Sequence, residues 1–481
     1  MASMASQRSS SGERFQRPHP RHTTRRRPCR PSNASCEPTG KPSKASFRPR
    51  SVVQWKQVEN TNGGGGTVPY GRRPYVVPPL CITYFSAMSH SPVYLDHAAT
   101  TPVRDEVVAA MAPYFGPRFG NPSSVHRWGR EARVALDEAR ERLAACLGAH
   151  ADEVCFTSGG TEGDNFAVLG VYRTLKAQGR PAAITTPIEH KAVLAAVHQV
   201  AHEGGEERLV RITGDGLVDA THFAALLDDR VAVASVMWVN NEVGVIQDVA
   251  ALAAATKAAG AVFHTDGVQA FGKVHIDART QPFDLLTISG HKIGAPKGIG
   301  ALYIRRDTPL EPLAHGGSQE RGRRPGTENV AFAIGLATAA ELTLAEHEAE
   351  QARLLTLRTA LENGVRERIP GAVIHGANAP RAAHVVNVSI PGTSSESLLM
   401  ALDLRGIACS AGSACQSGSV SASHVLSAMG VAPELANAAL RLSLGCLSTP
   451  ECVTRTVDVL ASLAEKARGV KNAPVFETVE F

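Results

Sequence analysis

The run Asp284-Leu285-Leu286-Thr287-Ile288-Ser289-Gly290-His291-Lys292 begins as an apolar strand and ends in a polar turn that carries a lysine. A strand that is apolar at successive positions is covered on both faces. Polar side chains just beyond its carboxyl end stand where ligands gather in open α/β sheets. The same pattern returns on working outward. Ala261-Val262-Phe263 precedes His264-Thr265-Asp266-Gly267-Val268-Gln269, and Val154-Cys155-Phe156 precedes Ser158-Gly159-Gly160-Thr161. Ala183-Ile184-Thr185 leads to a helix starting near Glu189, and Val231 to Met237 is a fully covered strand before Asn240-Asn241-Glu242. Ala301 to Ile304 reads as one more strand, and Ser123 or Ser124 is in place to cap a helix with apolar positions Ala132, Leu136, Ala139, Leu143 and Leu147.

This βαβ rhythm predicts an α/β fold with a mostly parallel sheet between helices. A long Ala-, Leu- and Glu-rich helix over 329–366 should lead to a smaller C-terminal α/β region ending near residue 468. The expected organisation is a tail over 1–90 and a large domain over 105–345. A small domain follows from 91–104 and 346–470, with a second tail over 471–481.

At 481 residues, with 43% apolar content, 43 Gly and 29 Pro, the chain is long enough for two or three domains. No apolar run reaches the length of a membrane helix. Charge is unevenly spread. Residues 1–87 hold 15 Lys and Arg against 3 Asp and Glu, a formal +12, so the chain total of +5 leaves −7 for residues 88–481. Nothing in the folded part therefore suggests electrostatic nucleic-acid binding. The nine cysteines form no CxxC pair and no metal-ligand spacing, which points to a reducing compartment and no metal site.

The tail is rich in Arg, Ser, Pro and Gly and is expected to be disordered. Three readings of it stay open. It is an inert extension before a start at Met88, an organelle transit peptide, or a basic arm for nucleic acid. The corresponding locations are cytoplasmic or, for a transit peptide, mitochondrial.

The polar clusters carry specific chemistry. A buried lysine amine forms a Schiff base once its surroundings favour the neutral form. Pyridoxal phosphate needs such an amine, a carboxylate for its ring nitrogen and donors for its phosphate. Lys292, Asp266 and the Ser289/His291 pair are residue types suited to those tasks, although Asp266 could equally cap a helix. Gly160 and Thr161 open a helix whose N–H groups favour an anion. His190 is suited to stacking or proton transfer. Arg441 is a charge inside an apolar alternation, paired either with a substrate carboxylate or with a structural acid. Cys415 lies in Ser410-Ala411-Gly412-Ser413-Ala414-Cys415-Gln416-Ser417-Gly418-Ser419, a stretch too small and polar to pack a core, where a thiol is free to act as a nucleophile. Cys146 and Cys155 read as inert core thiols.

From about Val93 to about Leu463 the chain resembles the cysteine desulfurases, fold-type I pyridoxal-phosphate enzymes of the class V aminotransferase superfamily. The resemblance rests on Leu95-Asp96-His97-Ala98-Ala99-Thr100-Thr101-Pro102, Gly120-Asn121-Pro122-Ser123-Ser124, Glu189 to Val193, Val239 to Gly244 and Ser289 to Lys292. It also rests on Gly412 to Cys415 with Ser423-His424-Val425-Leu426.

The resemblance implies that Lys292 anchors the cofactor and shuttles a proton, Asp266 faces the ring nitrogen, Gln269 and Asn241 meet the ring oxygen region, and His190 stacks. Gly160, Thr161, Ser289 and His291 would hold the phosphate, with Thr327 reaching the phosphate of a neighbouring subunit in a homodimer. Arg441 and Asn241 would bind the carboxylate of L-cysteine. Cys415 would take its sulfur as a persulfide for acceptors such as an iron–sulfur scaffold. Gly267-Val268, Pro325 and Ile293 to Pro296 depart from the family's usual residues without removing a reacting group. A transaminase or kynureninase-like lyase would share Lys292 and Asp266 but not need Cys415. A selenocysteine lyase would share nearly everything, whereas an idle scaffold would need none of these groups.

Overall fold

The computed structural model describes residues 91–411 and 422–471. The basic tail, the segment holding Cys415 and the last residues lie outside this range. In chain order the strands are β1 (Val93–Tyr94), β2 (Val154–Thr157), β3 (Ala182–Thr185), β4 (Glu206–Leu209), β5 (Val231–Ser235) and β6 (Val262–Asp266). They continue with β7 (Leu285–Ser289), β8 (Gly300–Ile304), β9 (Val373–Ile374), β10 (Val385–Ser389), β11 (Ile407–Ala408) and β12 (Ala439–Ser443).

Seven strands form the main sheet in the order β2-β8-β7-β6-β5-β3-β4. Four of its pairings are parallel, and only β8 runs against its neighbours β7 and β2. β2 therefore runs in the same direction as β7, so the carboxyl ends of β2, β3, β5, β6 and β7 share one edge. The chain continues from β4 back across β3 to β5, which makes that edge a topological switch point. Strands β5, β6, β7 and β8 are buried at every residue, as sheets covered on both faces require.

Close approach at the site edge depends on glycine. In the register, Gly300 faces Ser289 on one side and Thr157 on the other. A Cβ on Gly300 would lie 2.6 Å from the Ile288 carbonyl oxygen and 2.8 Å from Gly159 Cα. Only glycine lets β2, β8 and β7 draw their ends together there.

The helix Arg127–Leu147 buries Ala132, Leu136, Ala139, Leu143 and Leu147, as its spacing predicts. Its cap, however, is His126, whose Nδ1 accepts from Gly129 N at 3.2 Å, and not Ser123 or Ser124. The Gly120–Ser124 stretch instead folds into a turn in which Ser123 N donates to Asn121 Oδ1, and it packs against Gly129.

The single helix expected over 329–366 is two helices, Val330–Ala345 and His347–Arg368, bent by 70°. The reason lies in the cores they serve. Val330–Ala345 packs Ala333, Ala337 and Ala340 into the main-sheet core, whereas Leu354, Leu357, Leu361 and Val365 belong to a second apolar cluster with Val93, Leu95, Val386 and Leu440. Glu346, at the junction, is held by a bidentate pair with Arg104 at 2.8 Å. The second cluster lies on an antiparallel sheet, β12-β10-β9, and on the short parallel pair β1-β11. Among the described residues no single helix is long and apolar enough to cross a membrane.

One buried ion pair ties the helix Arg127–Leu147 to β2. Arg140 meets Glu320 through two contacts of 2.5 and 2.7 Å, and Glu320 also accepts from Phe156 N at 2.9 Å. Glu320 and Arg321 adopt left-handed backbone, φ 47° and 59°, to aim the carboxylate inward. Glu320→Ala leaves Arg140 buried and unpaired, so urea unfolding should show a loss of about 3–5 kcal/mol. A loss within the range of an exposed pair, below about 1 kcal/mol, would contradict this assignment.

Candidate active site

A cavity of about 350 Å³ opens at the carboxyl edge of the main sheet. Its lining brings together Gly160, Thr161, His190, Asn241, Asp266, Gln269, Ser289, His291, Lys292 and Arg441. These ten expected site residues come from six separate stretches of the chain. A neighbouring cavity of about 410 Å³ meets it at Gln269 and Lys292.

Each side chain is placed by a strand end or by the turn after it. Lys292 sits in a short 3-10 turn following β7, and its Nζ donates to the carbonyls of Ala98 at 2.6 Å and Ala99 at 2.8 Å. Burial lowers its amine to about 8, with the Arg441 cation adding to that effect and Asp266 and Asp96 opposing it. Asp266 ends β6, and no helix starts there, so it is not a helix cap. Its carboxylate accepts from Val268 N at 2.9 Å. Burial pushes its carboxyl upward, against the pull of His190, the Val268 N–H and Lys292. A buried acid with so few donors of its own is suited to a cationic N–H ligand.

His190 caps the helix Lys191–His202, two residues later than the expected start near Glu189. Its Nδ1 accepts from Ala192 N at 3.2 Å, so a neutral ring carries its proton on Nε2. Glu189 turns inward instead. Met237 N donates to both its oxygens at 2.9 and 3.0 Å, Thr186 donates at 2.6 Å, and burial raises its carboxyl to about 8.

The helix Gly160–Lys176 begins at the cavity with Gly159 as its cap residue. Ser158, Gly159, Gly160, Thr161, Ser289 and His291 also line an adjoining cavity of about 430 Å³. A Cβ on Gly159 would meet only Ser289 Oγ, at 3.8 Å, which marks open space between the helix start and β7. Free N–H groups, a hydroxyl and an imidazole around that space suit a phosphate. His291 Nδ1 lies 3.2 Å from Thr100 Oγ1, and burial with Lys292 and Lys297 nearby lowers the ring to about 4. It therefore contributes as a neutral hydrogen-bonding group at neutral pH.

Arg441 bonds Asp96 at 2.8 Å and the Asn241 carbonyl at 3.1 Å, while its buried Nε has no protein partner. A structural acid partner is thus present. Gln269 donates to Ala98 O at 2.8 Å and faces His384 Nε2 at 3.1 Å. Thr327 is exposed and lines a different cavity with Leu136, Phe156 and Asn329.

Cys415 lies outside the described residues. The described residues before and after its segment stand at the site. Ser410 pairs through its backbone with Arg441, and His424 lines the cavity, with its Nε2 3.0 Å from Glu189 O. Ser423 donates to Glu242.

Several functional groups were not assigned roles from sequence. Asp96, Ala98 and Ala99 fall in the quoted Leu95–Pro102 stretch, and His424 in the quoted Ser423–Leu426 stretch, so a signal existed without a geometry. Asp164, which also lines the cavity, had none. The expected inert thiols are as read. Burial raises Cys146 to about 11 and pushes Cys155 higher still.

The family described as Aminotransferase class-V matches residues 93–455. The chain is similar to a cysteine desulfurase IscS of Dictyoglomus turgidum, with 44% identity over 79% of this chain and 96% of that protein. Its identity to a cysteine desulfurase NifS of Azotobacter vinelandii is 43%, over 80% of this chain and 96% of that protein. Among solved structures, a NifS-like protein superposes with a TM-score of 0.73 at 34% identity, covering 78% of this chain and all of that one.

The lowered Lys292 amine has a measurable consequence. Because only the neutral amine attacks an aldehyde, the rate at which cofactor-stripped protein turns yellow with pyridoxal phosphate should rise as pH passes through about 8 and then level off. A midpoint near the ordinary lysine value would contradict the burial argument, and Lys292→Ala should not colour at all.

Proposed function

The chain belongs to the class V aminotransferase family and is an enzyme of the cysteine desulfurase type, and on that premise we propose how its residues divide the work. Its cofactor is pyridoxal phosphate. The observation that carries the assignment of the site is the half-buried Lys292 amine, lowered to about 8, sharing one cavity with the buried Asp266 carboxyl.

The residues fit the cofactor. Lys292 anchors it, and Asp266 faces the ring nitrogen. Gln269 and Asn241 would meet the ring oxygen region, and His190 would stack on the ring. Gly160, Thr161, Ser289 and His291 hold the phosphate. When bound, the cofactor draws electrons from the substrate and makes its Cα proton acidic. Lys292 Nζ takes that proton and returns it. Arg441 holds the substrate carboxylate with Asn241, and the Asp96 pair keeps the guanidinium oriented.

Cys415 then attacks as a thiolate. A sulfur–sulfur bond forms to the substrate sulfur, the substrate Cβ–S bond breaks, and Cβ takes a proton. L-cysteine and an enzyme thiol thus become L-alanine and an enzyme persulfide, with no outside oxidant. The segment carrying Cys415 is rooted beside Arg441 and His424, which supports delivery of the thiol to the cavity. Gly and Ser neighbours suit a nucleophile that must then present its sulfur to an acceptor.

Further parts of the reading follow from the same chemistry. The exposed Thr327 serves the phosphate of a second subunit in a homodimer. The sulfur passes to an acceptor protein such as an iron–sulfur scaffold. The five described cysteines are all free thiols, which suits a reducing compartment such as the cytoplasm. The main-sheet part carries the cofactor and the β10–β12 part carries the sulfur-accepting segment.

Cys415→Ala should stay yellow and bind L-cysteine but form no persulfide, and sulfide release under reducing conditions should fall at least 100-fold. Persulfide mapping after incubation with L-cysteine reads the outcome. Unchanged sulfide release would remove Cys415 from the mechanism, and a yellow wild-type protein without sulfide release would favour a transaminase.

A further inference from the structure

The cavity is also lined by a second buried acid that the mechanism above does not use. Asp164, on the helix Gly160–Lys176, is fully buried and lines the same cavity as Asp266. It is pressed there by packing. At its neighbour Gly163 a Cβ would lie 2.7 Å from Thr287 Cγ2, so only glycine lets this helix sit so close to β7.

The groups facing Asp164 are few. Asp164 Oδ1 has no hydrogen-bond partner, and the nearest imidazole nitrogen, His264 Nε2, is 3.7 Å away. Thr287 from β7 bonds the carboxyl, while Asp266 from β6 and Glu189 from the turn before Lys191 are acidic neighbours. His264 offers no charge, because burial lowers its ring to about 3. His190 and Lys292, the cationic influences at the site, act on Asp266.

We propose that Asp164 and Asp266 form a carboxyl pair in which Asp164 holds the proton, leaving Asp266 as the anion that faces the ring nitrogen. Two buried carboxylates lining one cavity disfavour double ionisation, and the proton rests on the partner with fewer cations. Burial, then the Asp266 charge and Glu189, raise the Asp164 carboxyl well above its ordinary value against the Thr287 hydrogen bond, which lowers it. The hydrogen bonds then close without conflict. Asp164 donates to Thr287 Oγ1, Thr287 donates to His264 Nε2 at 3.0 Å, and His264 Nδ1 donates to Ser235 Oγ at 2.8 Å. With Asp164 ionised, Asp266 would bear a second buried negative charge beside it and would itself take up a proton. Asp164 is thus a positioning residue that fixes the ionisation of the residue touching the cofactor.

The inference rests on the assignment of this cavity to pyridoxal phosphate. The test uses the yellow holoenzyme. Infrared spectra of protein labelled with carbon-13 at the aspartate side-chain carboxyl should show the carbonyl stretch of a protonated acid at neutral pH, and Asp164→Asn should remove it. The same variant, isosteric with a protonated acid, should keep its colour and an unchanged pH midpoint for the visible absorbance. Absence of the protonated-acid band from wild type, or its persistence in Asp164→Asn, overturns the proposal. A midpoint lowered by about one unit or more in the variant also overturns it, since that is the effect of removing a nearby negative charge. Failure of wild type to bind pyridoxal phosphate would instead strike the cofactor assignment.

Discussion

The carbonyl oxygen of Ala98 accepts from Lys292 Nζ at 2.6 Å and from Gln269 Nε2 at 2.8 Å. Through this one atom the segment at the beginning of the described chain crosses the carboxyl edge of the main sheet and fixes two residues from separate strand ends. Two residues earlier, Asp96 pairs with Arg441 on β12, so the same segment joins the main sheet to the second one. Remove that strap and Lys292 loses both of its acceptors, while Arg441 is left as a buried cation. The site depends on a crossing of chain segments that are about 170 to 350 residues apart in sequence.

The electrostatics follow from where these crossings place charge. The carboxyl edge collects Asp164, Glu189 and Asp266, all buried, against Lys292 and Arg441. Low dielectric makes every unpaired charge there expensive, so each group moves toward the protonation state its neighbours allow. Lysine is pushed toward the neutral amine that chemistry at an aldehyde requires. The acids are pushed toward the proton, except where a cation or a row of N–H donors holds the anion. Burial thus shifts Lys292 and Asp266 by the same physical means, and the His190, Val268 N–H and Lys292 influences oppose it at Asp266.

The strand and helix alternation was readable because it is periodic and local. The apolar runs at Val231–Ser235 and Leu285–Ser289 became strands buried at every residue, and Ala132 to Leu147 became one buried helical stripe. Boundaries were less readable. His126 displaced the expected serine caps, because whether an oxygen or a ring nitrogen reaches the first turn depends on how the Gly120–Ser124 turn folds back on Gly129. The helix expected over 329–366 broke at Glu346, because continuous helix propensity says nothing about a change of core halfway along.

Sequence alone determined the α/β class, the edge at which polar clusters gather and the residue types suited to pyridoxal phosphate, since period, composition and functional groups are properties of short stretches. It also determined that a thiol stands in a Gly- and Ser-rich segment. Tertiary structure alone decided that Arg441 has Asp96 beside it, that Ala98 and Ala99 hold Lys292, and that Asp164 faces inward. On a helical pattern Asp164 is one more polar residue in Thr161-Glu162-Gly163-Asp164-Asn165. Its burial comes from a glycine meeting a threonine on another strand, and no local stretch of sequence records which distant surface will cover a charge.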